Sequence, residues 1–190
     1  MATERETRPR HKRVWPGLLR SVPFLLLSAA PAPAQPAGDM LTADLNRDGR
    51  VERFQLLDMG DGTVDLQIEN TGGGVIYAEE LAILSPFGPP PRLDVAPGGS
   101  LQVITENDGR GQLTLTIAFR DGDYRVAGVS YGWYDPLDPE LGATCDFNLL
   151  TGRGRIDRGD EPPSFVPAPW PPMPVAHWTA ETFVPPPGCL

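Results

Sequence analysis

The chain has 190 residues and sets 16 Lys+Arg against 25 Asp+Glu, a formal net charge of −9. Six of those basic side chains and two of the acids precede residue 21, so the chain beyond residue 34 opposes 10 basic groups, all Arg, to 23 acids. A balance this negative, with no basic run left, argues against nucleic acid and anionic lipid as partners, because both are held by dense Lys/Arg patches.

The N-terminus reads as an export signal. A basic stretch, "MATERETRPRHKRVWPGLLR", is followed by the short apolar run "VPFLLLSAA" and by "PAPAQ", with Ala32 and Ala34 in the small-residue places of a cleavage site. Residues 1–34 are therefore expected to be a signal peptide and Gln35 the new N-terminus. A retained anchor would need roughly 17 or more apolar residues to span a bilayer. No Cys follows the apolar run, which leaves a lipid anchor unsupported. The remaining 156 residues suffice for one domain with its own core, residues 35–159, with residues 160–190 as a distinct tail. The expected location is the periplasm or the cell exterior, with no membrane association after cleavage.

The first chemically specific stretch is "DLNRDGRVE". Counted from Asp44, side-chain oxygens fall at positions one, three, five and nine, on Asp44, Asn46, Asp48 and Glu52. Gly49 stands sixth, and Arg50 offers its backbone carbonyl at the seventh place. Calcium takes six to eight hard oxygens from a tightly curled loop, and glycine at the sixth place permits the bend. On these residues "ADLNRDGRVE" resembles the D-x-[DN]-x-D-G-x-x-[DE] loop of FG-GAP/VCBS-type repeats in secreted bacterial proteins. The resemblance covers about ten residues, extends loosely into "RFQLL", and implies a strand-joining loop that holds Ca2+. The stretch is also similar to the first nine positions of an EF-hand, but the twelfth position is Gln55 where an EF-hand uses a bidentate Glu. Arg47, Arg50 and Arg53 weaken an ion site if they turn toward it. The competing reading is a turn in which Asp, Asn and Gly serve the backbone alone. Bound calcium is expected to be weak, with a Kd of roughly 10⁻⁴ to 10⁻³ M.

Beyond the loop, apolar residues recur at every second position, the strand period. "RVERFQLL", "TVDLQIEN", "SLQVIT", "GQLTLTIAFR", "DYRVAGVSY" and "GATCDFNLL" alternate in this way, and the last points Cys145 inward with Ala143, Phe147 and Leu149. Turn clusters such as "GDGT", "RDGD" and "LTGRG" separate them. "YAEELAIL" reads as a single helical turn, and "SPFGPPPRLDVAPGG", residues 85–99, as a long proline-rich loop. The fold class expected is mainly β: a single antiparallel β domain of about six to eight strands, meander or sandwich-like, with a docked proline-rich C-terminal tail.

"GVSYG" around Ser130 matches the G-x-S-x-G nucleophile elbow, and Asp146 or Asp157 and then His177 follow in the order of an α/β-hydrolase triad. An elbow needs a helix directly after the serine, whereas Trp133, Tyr134, Asp135 and Pro136 come next. A secreted serine hydrolase using Ser130 is thus the alternative reading, and Gly128 and Gly132 are expected instead to thin a strand for close packing. With one His beyond residue 34 and no Lys, a His-based zinc site and a Schiff base lack their residues. Tyr131, Trp133 and Tyr134 form either a stacking surface for sugar or peptide or ordinary cross-strand packing.

From Asp160 the chain holds ten prolines, so it is expected to run extended and largely unladdered. Its aromatics Phe165, Trp170, Trp178 and Phe183 favour a tail wrapped on the domain over a free proline-rich ligand for another protein. Cys145 and Cys189 are expected to pair, because two thiols of one exported domain usually do; two free thiols or an intermolecular bridge are the alternatives. The sum is an exported, non-catalytic binding or structural module for an unknown protein or carbohydrate partner, steadied by calcium in the 44–52 loop.

Overall fold

The structure, a computed structural model, describes residues 35–107, 110–138 and 141–189; the expected signal segment at 1–34 lies outside these. Twelve strands and two short 3₁₀ turns are formed among the described residues, and no helix there is long and apolar enough to cross a membrane. Strands β1 (Gln35–Ala43), β2 (Glu52–Asp58), β3 (Thr63–Glu69) and β4 (Val75–Ile83) make one antiparallel meander. The second sheet holds β5 (Arg92–Val95), β6 (Leu101–Asn107), β7 (Gly111–Arg120), β8 (Asp123–Tyr134), β9 (Gly142–Asn148), β10 (Arg153–Asp157) and β11 (Ser164–Pro167) in reverse chain order. β12 (Met173–Pro174) adds to β8 beyond the end of β9.

The core follows from the alternation. Phe54, Leu56, Val64, Leu66 and Ile68 of the first sheet are fully buried, as are Leu101, Ile117, Tyr124, Val126, Cys145 and Phe147 of the second. The Phe54 and Tyr124 rings meet edge-on at 5.7 Å across the two sheets. Large side chains buried on one face of each sheet supply most of the stabilisation, at roughly 25 cal/mol for each Å² removed from water. The outer face of the second sheet is polar, with Thr114, Ser130 and Asp146 side by side in register.

Two expectations are corrected here. "YAEELAIL" is not a helical turn but most of β4. Its buried residues Ala78, Leu81 and Ala82 have helical spacing because the β3–β4 register shifts between Val64 and Leu66: Ala78 and Ala82 keep the inward phase on either side of the bulge, and Leu81 within it turns inward as well. Glu80 sits in the bulge at φ 51°, and its N–H donates to the buried Asp65 carboxylate at 2.8 Å. The proline-rich 85–99 segment is not all loop either, since Arg92–Val95 pairs with Leu101–Ile104. The three prolines that precede it, Pro89, Pro90 and Pro91, stop short of the ladder, and a sheet edge tolerates proline nearby.

The tail docks, and it is more laddered than expected. β11 pairs over four residues with β10, and β12 with β8. Trp178, fully buried, leads a ring cluster in which Trp170 meets Trp178 at 5.7 Å, Phe147 at 5.7 Å and Phe183 at 5.6 Å. Trp170 Nε1 donates to the Thr182 carbonyl at 3.1 Å. Phe165 stays 80% exposed, because the β11 ladder turns it to the outer side. A Cys145–Cys189 disulfide ties the end of this tail to β9, both residues being fully buried.

Candidate metal centre

The β1–β2 connection is shaped by its own aspartates. Asp48 N–H donates to Asn46 Oδ1 at 2.8 Å and to Asp44 Oδ1 at 3.1 Å, Gly49 N–H to Asp44 Oδ2 at 3.0 Å, and Arg50 N–H to Asp48 Oδ1 at 2.8 Å. The Asn46 and Asp48 bonds are Asx-type turns, in which a short side chain caps the backbone two residues on, and Asp44 reaches four and five residues ahead to close the loop. Arg47 at φ 62° and Gly49 at φ 86° complete the curl. Left-handed backbone is easy for glycine and strained for arginine.

This curl gathers the acids. Asp44, Asp48 and Glu52 each bring a carboxylate oxygen to within 4.8 Å of the other two. Asp44 and Asp48 are exposed, whereas Glu52, the first residue of β2, is fully buried because it shares the inward phase of Phe54 and Leu56. Glu52 Oε2 accepts the Leu45 N–H at 2.9 Å, and Oε1 has no hydrogen-bond partner. A buried carboxylate oxygen without a partner is costly, by several kcal/mol for an ion taken fully out of water. A divalent cation held among three carboxylates removes that cost and their mutual repulsion together, so the residues present fit calcium.

Two of the three arginines have partners away from the acids. Arg47 donates to the Gly98 carbonyl at 3.4 Å; Arg53 donates to Gln55 at 2.8 Å and pairs with Glu69 at 3.5 Å on the outer face of the first sheet. Among the described residues no arginine forms an ion pair with Asp44, Asp48 or Glu52. Gln55, the twelfth position, is odd-numbered on β2 and so projects away from Glu52, which accounts for the absent EF-hand acid. Asn46 is held by Asp48, its Nδ2 donating to Asp48 Oδ2 at 3.3 Å, and Arg50 lies exposed on the rim.

A group that sequence reading did not assign here comes from the facing sheet. Tyr124, at the start of β8, is fully buried between the rings of Phe54 and Phe119, at 5.7 and 5.1 Å. Its hydroxyl is buried without a hydrogen-bond partner, and its ring lies against Phe54, the next inward residue of β2 after Glu52. Burial first, then the charges of Glu52, Asp48 and Asp44, push its phenol well above the ordinary value. Its inward aim was hidden by a second irregularity: the β7–β8 register shifts between Thr116 and Ile117, so Tyr124 and Val126 face the core on even numbers and Val129 and Tyr131 on odd.

The other sequence-predicted residues are dispersed. Ser130 lies in the middle of β8, opposite Asp146 on β9, with no elbow or helix after it. His177 is exposed in the 3₁₀ turn Val175–His177 of the tail. A Cβ added to Gly128 or Gly132 would meet nothing nearer than 3.4 and 3.8 Å, but the Gly132 carbonyl is itself closely approached, since a Cβ on Gly111 of β7 would run into it. A Cβ on Gly142 would fall 2.8 Å from the Trp133 carbonyl, and one on Gly154 would enter the Phe147 ring. Of the aromatic trio, Tyr131 is buried against Phe183 at 5.1 Å, Trp133 packs on the core edge and Tyr134 is half-exposed. They border a cavity of about 380 Å³ with Arg110 and Leu137.

Comparison with protein-family models, with curated proteins and with solved structures finds no match for this chain.

Proposed function

We propose that this protein is an exported, non-catalytic β module of the bacterial periplasm or cell exterior whose 44–52 loop is braced by calcium, in the manner that its resemblance to FG-GAP/VCBS-type loops implies. The observation that carries the reading is the fully buried Glu52 with one oxygen lacking a partner, beside Asp44 and Asp48. In this reading Asp44, Asp48 and Glu52 supply side-chain oxygens, Asn46 a carbonyl oxygen and Arg50 its backbone carbonyl. The ion is structural: it cancels clustered negative charge and closes the loop between two strands of the first sheet. Export is supported by the Cys145–Cys189 disulfide, which persists in oxidising compartments. The half-exposed Tyr134 and the cavity beside it offer a face to a protein or carbohydrate partner.

The test is thermal. Protein stripped with chelator and returned to calcium at ten to a hundred times Kd is stabilised by about 1.4 to 2.7 kcal/mol. For a domain of this size that raises Tm by roughly 3 to 10 °C. Asp48→Ala is expected to abolish the rise. An unaltered protein whose Tm is indifferent to millimolar calcium would end this reading.

A further inference from the structure

We infer that Tyr124 is a positioning residue of the calcium site, its hydroxyl holding the Glu52 carboxylate in the ligating pose, so that ion binding in one sheet depends on closure of the other against it. This inference rests on the calcium reading above and adds to it a residue 72 positions further along the chain.

Two buried polar atoms lack partners at this point, and they complement each other. Glu52 Oε1 is a buried acceptor and the Tyr124 hydroxyl a buried donor, and the Tyr124 ring packs on Phe54, the next inward residue of β2 after Glu52. Glu52 Oε2 is already fixed by the Leu45 N–H, so one further hydrogen bond determines the plane of the carboxylate. The phenol cannot swing away, because Phe54 and Phe119 hold its ring edge-on from both sheets. Its placement in turn depends on strand pairing, since Phe119 and Tyr124 are partners in the β7–β8 register. Outer partners that orient metal-ligating carboxylates act in this way, and their loss commonly weakens metal binding by ten- to a hundredfold. Asp44 and Asp48 are supplied by the loop itself, but the buried ligand is aimed by a group from the facing sheet.

The deciding variant is Tyr124→Phe, which keeps the ring and both edge contacts and removes only the hydroxyl. Calcium affinity by titration calorimetry is expected to fall about tenfold. In chelator, Tm is expected to stay unchanged or rise, because a buried hydroxyl without a partner has been removed. A residue with a purely structural role moves both quantities down together, and that outcome overturns the inference. So does an affinity equal to that of the unaltered protein. Absence of calcium binding in the unaltered protein sinks the parent reading instead, which keeps the two failures apart. Should the variant not fold, calcium titration of the unaltered protein followed by tyrosine near-UV absorption decides: a saturable shift supports the inference and an unchanged spectrum refutes it.

Discussion

At the scale of single residues, Glu52 is the unusual one, because it is a carboxylate placed by strand phase where the neighbouring positions hold Phe54 and Leu56. Its burial is a consequence of the alternation "VERFQLL", and its cost is visible as an oxygen with no partner. This asymmetry yields a crossing prediction. Glu52→Gln retains an acceptor for the Leu45 N–H and removes the buried charge, so in chelator the variant is expected to be more stable than the unaltered protein by about 1 kcal/mol. In saturating calcium the order reverses, because the variant gains nothing. Denaturant midpoints in the two conditions check it, and curves that fail to cross rule out a ligating role for Glu52. Sequence reading assigned Glu52 as an oxygen donor of the loop and left its burial unassigned, which the pairing of β2 decided. Tyr124 was not legible in the sequence, because its phase depends on a bulge that no local pattern announces.

At the scale of elements, regular strands kept the period that sequence reading assigned them, and irregular ones broke it. β3, β7 and β9 bury Val64, Leu66 and Ile68, Leu115 and Ile117, and Cys145 and Phe147 as alternation requires. β4 misled because three residues, 79–81, oppose the single Asp65, which puts its apolar positions at helical spacing. A bulge of this kind is stabilised by a contact far along the chain, here the Asp65 carboxylate on the Glu80 N–H, 15 residues apart. β10 carries the tightest glycine. A Cβ on Gly154 would enter the ring of Phe147, which is fully buried and meets Trp170. Gly154→Ala is therefore expected to cost about 2 kcal/mol through overpacking, measured as a lowered midpoint in urea with an unchanged slope. The same substitution at Gly132, whose added Cβ finds ordinary contact distance, is the matched control.

At the scale of the whole molecule, the two sheets are joined by their core and the second is sealed by the tail. Trp178, Trp170 and Phe183 cover the Phe147 and Tyr131 end of the second sheet, so the proline-rich segment acts as part of the core's lid. The disulfide closes 44 residues of chain between β9 and this segment. In the chain-entropy account a loop of that length contributes about 4 kcal/mol. Cys189→Ser is expected to lower stability by roughly that amount and to shift tryptophan emission to longer wavelength as Trp178 gains water. An unchanged emission spectrum would show that the tail holds by its rings alone.

The sequence by itself determined the β class, the inward face of the regular strands, the pairing partner available to Cys145 and the composition of the 44–52 loop. Each of these follows from order along the chain: a period of two, a count of thiols, the spacing of oxygens around a glycine. Only the tertiary structure decided that β4 is a strand, that the tail forms ladders, that Arg47 and Arg53 take partners away from the acids, and that Tyr124 of the facing sheet packs on Phe54 beside Glu52. Those outcomes depend on register, and a single extra residue in one strand reverses which face every later side chain presents. Register is set by pairing between distant segments, so no reading of one segment at a time contains it.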